Sequence, residues 1–221
     1  MLFRSFIWQR PLVTLLWAVL AIAWLMDVQP ARDWPRVMQH PVQGPFVAGV
    51  CALVLFLAGA ARLAPWLPGG DEPHYLVITQ SLLYDGDLRI ENNHRAQQYR
   101  QYLDHDLRPD YLRRGVDNQI YSVHAPGLPA LILPAFAIGG YRGAQILLAL
   151  IAAIGTMLVW RVCWLVTGRV DAAWLGWAAM TGSVPIFFHA FAIYPDGVAS
   201  VLVLSGVLAL LRTSEVTTLR A

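Results

Sequence analysis

Long apolar runs dominate the chain, and one polar stretch interrupts them. Four of the runs come close to or exceed the ~20 residues that a helix needs to cross a ~30 Å hydrocarbon core: Pro11–Val28, Phe46–Ala64, Gly143–Val166 and Ala172–Ile193. A fifth run, Gly197–Leu211, is shorter but uninterrupted, and its flanks complete a span. The pattern therefore predicts an all-α fold, a polytopic transmembrane helix bundle with a large external loop that carries short juxtamembrane helices.

The apolar segment Leu128–Ile138 is too short for a regular span. Eleven residues make ~17 Å of helix, about half of a membrane. Proline and glycine lie within and around it, at Pro126, Gly127, Pro129, Pro134, Gly139 and Gly140, and these residues weaken a regular helix. We expect a half-helix that enters the membrane without crossing it, with a tilted short span as the alternative.

These runs divide the chain into three parts. Residues 1–64 hold N-terminal transmembrane segments, residues 65–127 form an external loop of catalytic type, and residues 128–221 hold the re-entrant helix and further transmembrane helices. Within the loop, Pro73–Tyr84 is predicted to form a helix that Asp71 or Glu72 caps and that ends at Asp85-Gly86-Asp87. The stretch from Arg89 to Asn118 is rich in Asn, Gln and Arg, which predicts a solvated loop.

Composition supports an integral membrane protein. Hydrophobic residues make up 57% of the chain, charged residues only 14%, and the mean hydropathy is +0.50, whereas a soluble domain carries about 25% charge. The net charge of +2 is too small to indicate a nucleic-acid partner. Cys51 and Cys163 lie inside apolar runs, where a thiol behaves as a small hydrophobe, so neither a disulfide nor a metal-thiolate site is expected.

Arginine positions suggest an orientation. Arg161 and Arg169 bracket one link between helices, and Arg212 and Arg220 follow the last apolar run. Short loops rich in basic residues stay cytoplasmic, so both places are expected to be cytoplasmic and the polar loop external.

The N-terminus fits this orientation less simply. Met1 to Arg10 and the apolar run after it resemble a signal peptide, but no small-residue cleavage pattern follows, so an uncleaved anchor is expected. Two spans before the loop would place Arg4 and Arg10 outside. The first run therefore either crosses the membrane or lies along it, and the orientation of the N-terminus stays open.

The candidate chemistry begins at Asp71-Glu72, directly after an apolar run. Nine of the fourteen acidic residues fall between Asp71 and Asp117. Capping a helix explains one carboxylate but not two beside an apolar surface. A partly desolvated carboxylate has a raised pKa, which suits a general base. We therefore assign Asp71 and Glu72 as candidate catalytic residues, with a purely capping role as the alternative.

Further polar residues would share the face of the membrane on which this pair lies. The candidate substrate-binding residues are His74, Tyr75, Arg113, Arg114, Tyr121, His124 and Asp196. Arginine offers forked donors to phosphate oxygens, and Pro and Gly after His124 favour a rigid turn there. For each of these residues a structural or solvated role is the alternative. The spacing of His94, Asp104, His105 and Asp106 matches no closed metal site, so no metal ligand is assigned, although a divalent cation is left open.

Several of these motifs resemble a known family. Gly70-Asp71-Glu72-Pro73-His74-Tyr75-Leu76, followed by Ser81-Leu82 and Asp85-Gly86-Asp87-Leu88, resembles the first external loop of the GT-C membrane glycosyltransferases, which include protein mannosyltransferases and bacterial aminoarabinose transferases. Tyr121-Ser122-Val123-His124-Ala125-Pro126-Gly127-Leu128-Pro129 resembles the family's Pro-rich re-entry. Leu165 to Asp196, which ends in Tyr194-Pro195-Asp196, also follows the family pattern, so the likeness extends from Gly70 to Leu211.

The resemblance implies transfer of a sugar from a polyprenyl-phosphate-linked donor to an external acceptor. It further implies that Asp71 is the catalytic base, with Glu72 as second choice or partner, and that His124 lies near the donor phosphate, where related enzymes place a basic residue. The implied setting is the cell envelope, in a bacterial inner membrane with the loop on the periplasmic side, and the implied partners are the lipid-linked donor and membrane lipids.

Length is the main departure from the family, whose members have roughly twice as many transmembrane helices. We expect an N-terminal portion, a split enzyme that needs a second membrane subunit, or a degenerate copy. The alternative function is a non-catalytic membrane protein, either a transporter or flippase-like subunit or an inactive assembly partner. A transporter is expected to carry ionisable groups within its helices, whereas here they concentrate in the loop.

Overall fold

A computed structural model describes residues 34–63 and 68–218, with side chains up to residue 213. The described residues form helices and no strand, which confirms the all-α expectation for this part of the chain. In chain order the helices are α1 Arg36–Gln39, α2 Gln43–Leu63, α3 Glu72–Tyr84, α4 Glu91–Arg95, α5 Gly127–Thr167, α6 Val170–Thr181, α7 Val184–His189 and α8 Pro195–Thr218. A 3-10 turn, Gln98–Gln101, follows α4.

Three helices of the described part are long and apolar enough to cross a membrane. They are α2 with 21 residues, α5 with 41 residues and the 19-residue portion Pro195–Thr213 of α8. The predicted spans Phe46–Ala64, Gly143–Val166 and Gly197–Leu211 coincide with parts of these helices. The predicted span Pro11–Val28 lies outside the described residues. The chain is therefore a membrane protein by the length and composition of its helices.

The prediction of a single span over Ala172–Ile193 is wrong. The segment forms two short helices, α6 of 12 residues and α7 of 6 residues. The break falls at Gly182 and Ser183, just before Pro185. Proline has no N–H to donate to the preceding turn and disfavours the α conformation at the residue before it. Hydropathy alone does not register this break, because the residues on either side of it are apolar.

Helix α5 consists of two arms joined at Gly140. This residue has φ 57° and ψ −147°, a conformation outside the helical region that only glycine adopts readily. A Cβ at Gly143 would collide with the carbonyl oxygen of Ala135, so the two backbones come very close beside the turn. The break that the sequence predicts after Ile138 is therefore present. That the first arm enters the membrane without crossing it stays a prediction.

The chain divides into two compact units. Within the described residues the first comprises 34–52, 153–188 and 201–218, and the second comprises 53–63, 68–152 and 189–200. In the first unit, Trp160 and Trp174 pack edge to face with ring centroids 6.2 Å apart. Both side chains are buried against Ala48 and Ala173, so aromatic side chains between helices form the core of this unit.

The second unit contains all of the candidate site residues and has two apolar clusters. One joins α3 to both arms of α5, through Tyr75, Leu76, Leu128, Ile132, Phe136, Ala144, Leu148 and Ile193. The other joins α3 to the polar stretch, through Val77, Ile78, Ile90, Tyr99, Leu103 and Ile120. Helix α3 therefore lies between two cores, which explains why nearly its whole length from Glu72 to Ser81 is buried.

The prediction that Arg89 to Asn118 is simply solvated is wrong. Its widely spaced apolar side chains, Ile90, Tyr99 and Leu103, are buried. Asn93 is also buried, and its amide nitrogen donates to Asp85 and Gln98 at 2.7 and 2.9 Å. Internal hydrogen bonds thus make it possible to bury a polar sequence, because each donated bond replaces one to water. The stretch packs against α3 and holds it in place.

Candidate functional site

The Asp71-Glu72 pair lies at the beginning of α3. The helix starts at Glu72, one residue before its predicted start, with Pro73 in the first turn and Asp71 at the N-cap position. The predicted capping hydrogen bond from the Asp71 side chain is not formed. Asp71 has φ −86° and ψ −5°, a helical conformation, whereas a capping residue usually has an extended one. Its carboxylate is therefore left for other interactions.

Glu72, in contrast, is buried, with 1% of its surface exposed. Its Oε1 accepts a hydrogen bond from the Gly69 N–H at 3.1 Å. Its Oε2 accepts from the Ile193 N–H at 2.9 Å and from the Tyr141 hydroxyl at 3.4 Å. Burial raises the pKa of Glu72, while the hydrogen bonds from Ile193, Gly69 and Tyr141 oppose the rise. One carboxylate thus links the beginning of α3 to two segments that are distant in the chain.

Tyr194 holds the turn that carries Asp71. Its hydroxyl accepts a hydrogen bond from the Asp71 N–H at 3.0 Å and donates to the Gly69 carbonyl at 3.2 Å. Gly70 has φ 60°, and a Cβ there would collide with the Tyr194 hydroxyl. Glycine is therefore required at position 70 both for its conformation and for the close approach. This explains part of the Gly70-Asp71-Glu72 motif in physical terms.

The Asp71 carboxylate is exposed at the entrance to this arrangement. Its charge acts on two neighbours, because it opposes the loss of a proton from Tyr75 and favours the protonated form of His74. The desolvation expected of both carboxylates thus applies to Glu72 alone. Asp71 is the accessible carboxylate and Glu72 the enclosed one.

Two histidines and a tyrosine pack next to Asp71. The rings of His74 and His124 stack with centroids 5.6 Å apart, and the His124 ring lies 4.6 Å from that of Tyr75. His124 Nε2 is 3.0 Å from Oδ2 of Asp110. Burial lowers the pKa of His74. The structure therefore brings together His74, Tyr75 and His124, as the sequence predicted, and adds Asp110.

Asp196 lies in the first turn of α8 and is exposed. Its Oδ2 is 3.7 Å from Nδ1 of His189. Burial raises the pKa of Tyr75, and the charges of Asp71 and Asp196 add to that rise. Asp196 therefore belongs to the same polar region as Asp71. It occupies a position inside the helix, one residue after Pro195, and not the N-cap position itself.

The remaining candidates lie apart from this group. Arg114 makes two hydrogen bonds to Glu91, at 2.8 and 3.1 Å, so its forked donors are already occupied. Arg113 is exposed and forms no hydrogen bond or ion pair with any described residue. The Tyr121 hydroxyl donates to Asp117 at 2.6 Å. Arg113 therefore has more donors left for a phosphate than Arg114 has.

Metal ligation is not indicated by the arrangement of side chains. No three His, Cys, Asp or Glu side chains within residues 34–63 and 68–218 are grouped so that they could hold a metal ion. His94 is buried, Asp104 contacts His105 at 2.9 Å, and Asp106 pairs with Arg100. The divalent cation left open by the sequence has no set of ligands in this part of the chain.

Sequence reasoning missed three contributors to the site, namely Tyr141, the Ile193 N–H and Asp110. Tyr141 and Ile193 lie 69 and 121 residues from Glu72 along the chain, and a backbone N–H has no side-chain signature. Asp110 lies 14 residues before His124 in a stretch without periodicity. A polar Tyr141 directly after two glycines in an apolar run was the one available signal, because such a residue needs a partner.

The chain matches no family model, no curated protein and no solved structure.

Proposed function

We propose that the chain is a membrane glycosyltransferase of the GT-C type, which transfers a sugar from a polyprenyl-phosphate-linked donor to an external acceptor. The observation that carries the proposal is the separation of the two carboxylates. Asp71 is exposed beside two histidines and a tyrosine, while Glu72 is buried and hydrogen-bonded to the segments around it.

Each carboxylate has its own role in this proposal. The Asp71 carboxylate accepts the proton of the acceptor hydroxyl as that oxygen attacks the anomeric carbon. Glu72 fixes the beginning of α3 and so positions Asp71, because two of its three donors come from segments distant in the chain. His124 offers a donor to the donor phosphate, which carries more charge as it leaves.

The membrane setting supports a lipid-linked donor. Three apolar helices of spanning length accompany the site in this chain. A polyprenyl tail dissolves in the hydrocarbon core, so its phosphate and sugar lie at the level of the lipid headgroups. Ionisable groups are concentrated in the polar stretch and are nearly absent from the spanning helices, as expected for chemistry at the membrane surface and not for a transport pathway.

The test is transfer of radiolabelled sugar from undecaprenyl phosphate in membranes that contain the protein, followed as loss of label from the lipid extract. We expect Asp71→Asn to lower the rate by about 10² to 10⁴ and Asp71→Glu to retain part of it. Asp104→Asn is the matched control, because its side chain is 99% exposed and pairs only with the exposed His105. Full activity of both Asp71→Asn and Glu72→Gln would refute the assigned base.

A non-catalytic membrane subunit is the second candidate, and one observation favours it. The three hydrogen bonds that Glu72 accepts all come from within the protein, as in a residue that serves structure alone. In that case the protein should co-purify with a second integral subunit, and Asp71→Asn should leave the assembly and its activity unchanged.

A further inference from the structure

We infer that Asp110 and His124 form an acid–base dyad, in which Asp110 orients the imidazole and Nδ1 of His124 delivers a proton to the leaving phosphate oxygen. This inference rests on the proposed function for the identity of the leaving group. The existence of the dyad rests on geometry alone.

The two side chains are fixed relative to each other. Nε2 of His124 lies 3.0 Å from Oδ2 of Asp110, and the two side chains are 13% and 40% exposed. The backbone supports the pair, because the Val123 N–H donates to the Asp110 carbonyl at 3.1 Å. The His124 N–H donates to the Ser122 hydroxyl at 3.2 Å. The segments that carry Asp110 and His124 are therefore joined by a backbone hydrogen bond as well as by the contact between the two side chains.

The contact with Asp110 determines which nitrogen of His124 is available. A carboxylate accepts hydrogen bonds, so Nε2 carries the hydrogen in this pair and Nδ1 is the second position for a proton. Nδ1 of His124 forms no hydrogen bond with any described residue and is not enclosed, in contrast to Nδ1 of His74, which is buried without a partner. His124 therefore presents one nitrogen to an incoming group.

The neighbouring rings fix the position of the His124 imidazole. His74 and Tyr75 pack against it with centroids 5.6 and 4.6 Å away and limit its rotation. Asp110 is the carboxylate that contacts the ring, at Nε2.

The proposed step balances in protons and electrons. The acceptor hydroxyl gives its proton to the Asp71 carboxylate, and its oxygen forms the new bond to the anomeric carbon. The bond between that carbon and the phosphate oxygen breaks, and its electron pair stays on the oxygen. The Nδ1 proton of His124 moves to this oxygen and leaves a neutral imidazole, whose Nε2–H still donates to Asp110.

The dyad is tested directly by nitrogen-15 spectra of histidine-labelled protein in detergent micelles, with the His124 signal assigned through His124→Asn. We expect neutral His124 in the wild type to be a single tautomer with hydrogen on Nε2, and Asp110→Ala to give the shifts of an exchanging mixture. Asp104→Ala, which removes the carboxylate next to His105 at 2.9 Å, is the matched control and should leave the His124 shifts unchanged. Identical His124 shifts in the wild type and Asp110→Ala would overturn the dyad.

The role in the reaction is tested by a double-mutant cycle on sugar transfer. We expect Asp110→Ala to lower kcat about tenfold with little change in KM, His124→Asn to lower it about a hundredfold, and Asp110→Glu to restore part of the loss. In the His124→Asn background, Asp110→Ala should cost nothing further, because Asp110 acts through the ring. Losses that multiply would show an independent structural role and overturn the assignment.

The two tests separate the two proposals. If the wild type transfers no sugar, the proposed function fails, and the dyad is judged by the tautomer of His124 alone. If sugar is transferred and the cycle is multiplicative, the dyad fails while the proposed function stands.

Discussion

At the scale of single residues, the neighbouring carboxylates Asp71 and Glu72 occupy opposite environments. Asp71 is exposed, whereas Glu72 is buried, with 1% of its surface exposed, and accepts three hydrogen bonds. A buried charge is costly, and hydrogen bonds from two backbone N–H groups and a phenol offset only part of this cost. This explains why the pKa of Glu72 is raised although every neighbouring donor opposes the rise.

The raised pKa of Glu72 makes a prediction about stability and pH. The folded state holds the proton more tightly than the unfolded chain, whose reference pKa is 4.5. The contribution of Glu72 is therefore fully present below that pH and is lost as the pH rises through the folded-state pKa. We expect the unfolding free energy of the wild type, relative to Glu72→Gln, to fall as the pH rises above the reference pKa of 4.5, measured by thermal unfolding in a non-ionic detergent.

Glu91→Gln is the matched control for this experiment. The hydrogen bond from Arg114 lowers the pKa of Glu91, so any contribution of Glu91 has the opposite sign and is lost as the pH falls. A wild-type minus Glu72→Gln difference that stays constant or rises with pH would contradict the burial of an ionisable carboxyl at position 72.

Removing the Glu72 carboxylate should also be costly at any single pH. Glu72→Ala leaves the Gly69 and Ile193 N–H groups without their acceptor. A buried donor without a partner costs about 1–3 kcal/mol, so we expect a loss of a few kcal/mol in the unfolding free energy. Glu91→Ala, which breaks only a surface pair, should cost much less, because solvent screens exposed ion pairs. Equal losses in the two variants would contradict the linking role of Glu72.

At the scale of the helices, the two arms of α5 depend on the turn at Gly140. Arm residues Ile132, Phe136, Ala144 and Leu148 share one apolar cluster with α3. The second arm begins with Tyr141, whose hydroxyl reaches Glu72. The turn at Gly140 therefore determines whether the Tyr141 hydroxyl can donate a hydrogen bond to Glu72.

Substitutions of glycine test this turn. Gly140→Ala forces alanine into φ 57° and ψ −147°, a glycine region that costs about 1–3 kcal/mol for other residues. Gly143→Ala places a methyl group against the Ala135 carbonyl, and overpacking costs about 1–3 kcal/mol. Gly139→Ala meets nothing within 4 Å and is the control. The unfolding free energies of the three variants are measured in detergent. Equal values for Gly140→Ala, Gly143→Ala and Gly139→Ala would contradict the turn at Gly140.

At the scale of the whole molecule, the described residues contain three helices of spanning length and a polar stretch with its own small core. The polar stretch precedes α5 in the chain and packs on α3. The proposed function requires this stretch to lie on the external side of the membrane. The arginine positions in the other loops predict the same side.

Cysteine labelling tests the orientation. In a chain with Cys51 and Cys163 replaced by alanine, Leu112→Cys should react with a membrane-impermeant maleimide in intact cells, because Leu112 is 91% exposed. Thr213→Cys, at the C-terminal end of the last spanning segment, should react only after the cells are opened. Labelling of position 112 only in opened cells would place the polar stretch in the cytoplasm and remove the basis for an external acceptor.

The sequence by itself determined that the protein belongs to the membrane class and where its spanning helices lie. Spanning length and apolar composition are local properties, so hydropathy located α2, the second arm of α5 and α8, and proline and glycine located the break after Ile138. The same local reasoning failed at Ala172–Ile193, where composition is uniform and the break at Gly182 depends on backbone hydrogen bonding. It also failed in the polar stretch, whose burial depends on packing against α3.

Only the tertiary structure decided which carboxylate is buried. Asp71 and Glu72 are adjacent acids in an identical local setting, and nothing local distinguishes them. The difference comes from the Ile193 N–H and the Tyr141 hydroxyl, which lie 121 and 69 residues away along the chain and reach Glu72 alone. The contact between Asp110 and His124, which lie 14 residues apart, likewise exists only in the folded structure. Electrostatic environment depends on distances in space, which folding creates between residues that the sequence keeps apart.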